Sequence, residues 1–135
     1  MGGESMQRWV SLASGLAIVI AVIAGAEPAT AQDAVKGEAV FKRCRACHAV
    51  GPNAANKAGP QLNGVVGRKA ASIAGFDYSD AMKERAAAGL AWTDANLEAF
   101  LQAPDVFLPK GVMASSGIKD PAQLKDLIAY LKTQK

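Results

Sequence analysis

Apolar side chains in the second half of the chain recur at helical intervals. Leu124, Leu127, Ile128 and Leu131 fall at i, i+3, i+4 and i+7, a stripe that must face a core. Asp120-Pro121, just ahead of it, is a helix start: a capping residue followed by a proline in the first turn. Leu97, Phe100 and Leu101 mark a shorter helix, capped by Thr93 and ended by Pro104. Ser79 caps another, which runs through Ala88 and stops at Gly89. Near the start, Asp33 caps a first helix expected to reach about Ala46. Between them, Asn53 to Gly67 carries Gly, Pro and Asn at close intervals and reads as a long structured loop. No alternating run suggests a strand, so the pattern predicts an all-α fold of about four helices joined by long loops. Such loops are unusual in a small domain, and they make sense when they pack on a cofactor instead of on one another.

The most apolar stretch of all, Val10 to Ala26, lies outside this pattern. With Arg8 before it and the small-residue sequence Ala29-Thr30-Ala31 after it, residues 1–31 read as a signal peptide, with Gln32 as the mature N-terminus. The alternative is a retained membrane anchor, for which the stretch is at the short edge of a bilayer span. Residues 32–135 then form one small domain, whose core is thin and would gain from a metal, a disulfide or a bound group. The whole chain carries a net charge of +3, and the leader holds two acidic residues against one basic, so the mature domain is slightly more basic. That imbalance is modest and, with no basic stripe interleaved with aromatics, does not indicate a nucleic-acid binder. A modest positive charge suits steering towards acidic partner surfaces.

Both cysteines and the only histidine of the chain stand together in Cys44-Arg45-Ala46-Cys47-His48. This is the c-type haem attachment spacing: two thiols to add across the haem vinyl groups, and an imidazole next to them to reach the iron. Other readings are weaker. A dithiol redox pair normally opens a helix after a strand, whereas the segment before Cys44, Ala34 to Phe41, is helical in character. A structural zinc site usually draws four ligands from Cys and His, and only three exist. A disulfide across two residues would close too small a loop to restrain the unfolded chain.

One imidazole leaves the second axial position of the iron open. Beyond the leader the chain holds two methionines, Met82 and Met113. Met82 falls in a helical pattern, where methionine is usually core filler. Met113 falls in an irregular loop between two helices, which can carry a thioether to a haem face. Histidine plus methionine ligation raises the reduction potential and suits electron transfer. Spacing alone also leaves room for a lysine-bound site or for an open one, and an open site would make a five-coordinate haem protein that binds small gases or reacts with peroxide.

A run of further landmarks resembles the class I cytochromes c, of the soluble bacterial and mitochondrial monohaem type. They are Gly37-Glu-Ala-Val-Phe41 before the haem motif, Gly59-Pro60-Gln61-Leu62-Asn63-Gly64-Val65-Val66-Gly67-Arg68, Gly75 to Ala81, Trp92, Pro109 ahead of Met113, Gly117-Ile118-Lys119 and Leu127 to Leu131. Each is weak alone. Their order and spacing over residues 33–134 make the set specific.

The resemblance implies a small cytochrome c fold wrapped around one covalently attached haem c, with Cys44 and Cys47 as thioether carriers and His48 and Met113 as axial ligands of the Fe. It implies that the Pro60 carbonyl accepts a hydrogen bond from His48. Arg68, Tyr78 and Trp92 would lie near a buried haem propionate; by composition alone Arg68 would be a solvated loop charge and Trp92 ordinary core. Gly37, Phe41, Leu127 and Tyr130 would form the crossing of the first and last helices. It further implies a monomeric one-electron carrier, not an enzyme, exported to the periplasm. Its donor would be a membrane quinol–cytochrome c oxidoreductase and its acceptor a terminal oxidase or photosynthetic reaction centre. Arg43, Lys57 and Lys110 would belong to a basic docking rim. The chain departs from the family at Phe100, commonly a tyrosine that reaches the methionine sulfur, and at Gly111, often a hydroxyl-bearing residue. Asp105 and Val106 stand where docking-face lysines are common.

Overall fold

The computed structural model describes residues 32–135, so the expected leader lies outside the described residues. Five helices follow in order: α1 Ala34–Phe41, α2 Asp80–Ala87, α3 Asp94–Gln102, α4 Pro104–Phe107 and α5 Pro121–Thr133. Among the described residues there is no strand; a single isolated bridge pairs Lys69 with Ala91.

Four of the five starts are capped as the sequence requires. Asp33 accepts from the amides of Val35 and Lys36, Ser79 from Met82, Thr93 from Asn96 and Asp120 from Ala122. Each cap satisfies amides that the first helical turn leaves without partners. Gly89 at φ +94 closes the α2 region, where a left-handed residue is needed.

Two boundaries differ from expectation. The first helix stops at Phe41 instead of near Ala46, and Lys42–Cys44 tighten into a single 3-10 turn. The amides of Cys47 and His48 then both donate to the Cys44 carbonyl, at 3.1 and 2.9 Å, which turns the attachment motif out of the helix axis. Pro104 does not merely end α3. Ala103, at φ −151, breaks the chain, and Pro104 opens the short helix α4. A residue without an amide hydrogen suits the first position of a helix as well as it terminates one.

The helices pack by their predicted stripes. Leu124, Leu127, Ile128 and Leu131 of α5 are all buried, as are Leu97 and Phe100 of α3. The main contact is the crossing of α1 on α5, where the Phe41 and Tyr130 rings lie 5.4 Å apart. Gly37 permits that crossing, and the backbone amide of Asp33 donates to the Asp126 carboxylate at 2.8 Å beside it. The aromatic group Trp92, Phe100 and Phe107 closes the other side, with Trp92 and Phe100 centroids 5.0 Å apart. Arg85 of α2 covers the Phe107 ring from outside at 5.3 Å, a cation on an aromatic face.

Candidate functional site

Between α1, α5 and the loops lies a cavity of about 580 Å³, within the size range of cofactor pockets. Its walls include Cys44, Cys47 and His48 from the turn after α1, Met113 from the loop before α5, and Arg68, Tyr78 and Trp92 from the middle of the chain. All seven residues singled out in these roles thus line one space, drawn from five separate stretches of the chain. Pro60 lines it too.

His48 Nδ1 is 2.7 Å from the Pro60 carbonyl oxygen. A carbonyl only accepts, so Nδ1 carries the proton and the Nε2 lone pair is left available. Burial pushes the imidazole below its usual pKa, partly opposed by this hydrogen bond, and the Lys57 charge pushes it down further. The ring is therefore held neutral, the form in which it can ligate. Gly59 is required beside it: a Cβ there would stand 2.4 Å from His48 Cε1.

Both thiols are free, Cys44 half-buried and Cys47 exposed. Burial raises the Cys44 pKa, with the Arg43 charge opposing and Cys47 adding to the rise. A dithiol redox centre depends on a lowered thiol pKa, and Cys44 is shifted the opposite way.

Arg68 is held by two main-chain carbonyls, Nη1 to Asn63 at 2.8 Å and Nη2 to Gln61 at 3.4 Å, while its buried Nε has no partner among the described residues. A buried donor on a cation, left over at a cavity wall, fits an anionic acceptor entering that space. Tyr78 accepts at its hydroxyl from the Ile73 amide at 3.2 Å, and its own hydroxyl hydrogen can serve the same acceptor. Trp92 is buried and packs on Phe100, so it forms part of the core as well as of the wall.

Of the expected rim charges, only Arg43 lines the cavity; it also donates to Gln123 at 3.1 Å. Lys57 and Lys110 are exposed next to lining residues, Lys57 with its ammonium on the Arg45 carbonyl and Lys110 at φ +65. Asp105 lines the cavity as well, an acidic residue beside the expected rim charges.

Three residues gain importance only here. Met82 lines the cavity and does more than fill core. Asn56 accepts from the Gln61 amide at 3.0 Å and donates to the Ala74 carbonyl at 3.3 Å, tying two loops together. Asn63 bonds Gly51 through both atoms of its amide. In sequence both asparagines register only as turn-forming residues.

An apolar cavity with an imidazole, a thioether, paired thiols and an unpaired guanidinium donor defines a c-type haem protein. The chain belongs to the cytochrome c family, whose model matches residues 34–135. It is 52% identical over 99 residues to a cytochrome c2 of Agrobacterium tumefaciens, covering 73% of this chain and 89% of that protein. It is 45% identical over 121 residues to a cytochrome c2 of Blastochloris viridis, covering 90% and 91%. The solved structure of cytochrome c2 from Rhodospirillum centenum superposes with a TM-score of 0.71 at 40% identity, covering 75% of this chain and 97% of that one. The protein is accordingly an electron carrier, not an enzyme, with one covalently bound haem c as its cofactor. The relatives give no support to a five-coordinate, gas-binding or peroxide-reactive protein. Among the described residues no helix is long and apolar enough to cross a membrane.

Proposed function

We propose that Cys44 and Cys47 carry the haem as thioethers, that His48 and Met113 are its axial ligands, and that the protein shuttles single electrons on this centre. The observation that carries the reading is the His48–Pro60 contact of 2.7 Å on the wall that also holds both free thiols. The bound haem supplies the one-electron couple, its iron alternating between ferrous and ferric.

The residues do the rest. Pro60 fixes the imidazole tautomer and raises its basicity. Met113, arriving on a loop, would offer its thioether to the iron. Arg68 would offset the charge of a propionate within the protein and Tyr78 would donate a hydrogen bond to it, while Trp92, Phe100, Leu97 and Leu127 keep the surroundings apolar. Burial and the thioether both favour a high potential.

The donor in this reading is a membrane quinol–cytochrome c oxidoreductase. The acceptor is a terminal oxidase of a respiratory chain or a photosynthetic reaction centre. Arg43, Lys57 and Lys110 supply the positive rim for docking. The chain works as a monomer in the periplasm after residues 1–31 are removed.

The experiment is a redox titration of native protein with its ferric absorption spectrum, alongside Met113→Ala. A pyridine haemochrome of the c type and a weak red iron–sulfur band are expected, the band absent from Met113→Ala and the midpoint potential lower. Colourless native protein, or a band that survives Met113→Ala, overturns the assignment.

A further inference from the structure

The chain after His48 and the chain after Gly59 run beside each other and are joined at three places. His48 Nδ1 meets the Pro60 carbonyl at 2.7 Å, and the Leu62 amide donates to the Ala49 carbonyl at 2.9 Å. At the third place a side chain replaces the backbone. Asn63 Oδ1 accepts from the Gly51 amide at 2.8 Å, and Asn63 Nδ2 donates to the Gly51 carbonyl at 2.9 Å. Gly51 is at φ +92, a conformation that side-chain-bearing residues rarely adopt, and its amide and carbonyl both meet one carboxamide, the carbonyl also accepting from the Ala54 amide at 3.2 Å.

The main chain of Asn63 is held as firmly. Its amide donates to Gln61 Oε1 at 2.7 Å, and its carbonyl accepts from Arg68 Nη1 at 2.8 Å. One residue therefore grips the segment that carries His48 with its side chain, and the Arg68 guanidinium with its backbone. That guanidinium is the one whose buried Nε has no partner among the described residues. A carboxamide is the chemistry the clamp needs, because it offers one donor and one acceptor at the same reach. Alanine removes both bonds. Aspartate keeps the acceptor but sets a second carboxylate oxygen against the Gly51 carbonyl.

We propose that Asn63 is a positioning residue that couples the two ends of the site, holding the His48–Pro60 contact in register while it fixes the direction of Arg68. The proposal rests on the reading of His48 as an iron ligand. Loss of the clamp leaves the helical core intact and loosens the imidazole and the guanidinium together.

The test is solvent exchange in the ferrous holoprotein, followed by NMR at His48 Nδ1–H and Arg68 Nε–H. The Leu127 amide in α5 serves as the internal measure of global opening. Two net hydrogen bonds lost correspond to acceleration of about tenfold or more. Asn63→Ala and Asn63→Asp are expected to accelerate both side-chain protons by that factor relative to Leu127. Asn96→Ala on α3, which loses one side-chain bond to the Ala91 carbonyl ahead of that helix, is expected to leave them unchanged. Unchanged protons in the Asn63 variants, or acceleration in step with Leu127, overturn the proposal. Should neither variant fold, the unaltered protein decides. The Gly51 amide is expected to exchange as slowly as that of Leu62, and exchange about tenfold faster shows that the clamp is not formed. Absence of haem ring-current shifts on the His48 ring protons would instead overturn the ligation reading. The Gly51 and Leu62 amide rates would be untouched by that result.

Discussion

Gly37 of α1 passes so close to the Asp126 carbonyl oxygen of α5 that a Cβ at residue 37 would stand 1.9 Å from it. Real contacts do not come this near, so the two helices cross at a distance that only glycine allows. The crossing brings Phe41 onto Tyr130 and seals one end of the cavity.

Gly37→Ala sets two effects against each other. Helix propensity favours alanine by about 1 kcal/mol. The clash with main chain on α5 cannot be relieved by a rotamer change, and overpacking of this kind costs about 1–3 kcal/mol. These opposing terms leave roughly 0–2 kcal/mol of net destabilisation, and because the Cβ would meet main chain at 1.9 Å the upper end is expected, read as a lower midpoint in denaturant titration of the holoprotein. A variant as stable as the parent would show that the crossing is not tight.

Gly59 stands in the same relation to the imidazole. With a Cβ 2.4 Å from His48 Cε1, Gly59→Ala must displace the ring or the loop. The Pro60 contact weakens in either case, and a less basic ligand stabilises ferric iron less. A rise in midpoint potential is therefore expected, along with lower stability. An unchanged potential in a folded variant would place the ring elsewhere.

The rim charges predict salt-dependent kinetics. Reversing Arg43, Lys57 and Lys110 to glutamate should slow reaction with an acidic redox partner by about tenfold or more at low ionic strength. The difference should shrink as salt is added, because exposed charges are screened over about 10 Å at 0.1 M. Stopped-flow rates across a salt series check this. Rates independent of salt in the parent would remove the rim from the docking surface.

Lys83 predicts a small alkaline effect. Its ammonium lies 2.9 Å from Asp77 and 3.9 Å from Asp80, and these carboxylates raise its pKa. A raised folded pKa means that the added stability is present below the unfolded lysine pKa and is lost as pH rises through the folded one. The stability difference between the parent and Lys83→Met should therefore be constant at neutral pH and vanish on the alkaline side. The pair is fully exposed, so it should also fade in salt. Thermal denaturation across pH checks both.

Much of this was legible in the chain. Caps at Asp33, Ser79, Thr93 and Asp120 are local chemistry between a side chain and amides two or three residues away, so the sequence names them directly. The α5 stripe follows from helical periodicity, and all four of its residues are buried. Cys44, Cys47 and His48 are contiguous, so their chemistry needs no fold to bring them together. The end of α1 and the start of α4 were less legible. A 3-10 turn at Lys42–Cys44 and a helix begun by Pro104 depend on hydrogen bonds formed across a turn, and residue preferences there fit either outcome.

What residue order determined by itself was the attachment motif, the helices and their inward faces, because each rests on neighbours within one or two turns. Only the tertiary structure decided that Met113, Met82 and Arg68 line one cavity with His48, and that Asn63 reaches Gly51. Those relations join segments many residues apart, and their cost and reward lie in desolvation and hydrogen-bond satisfaction that exist only once the chain has closed around the cavity.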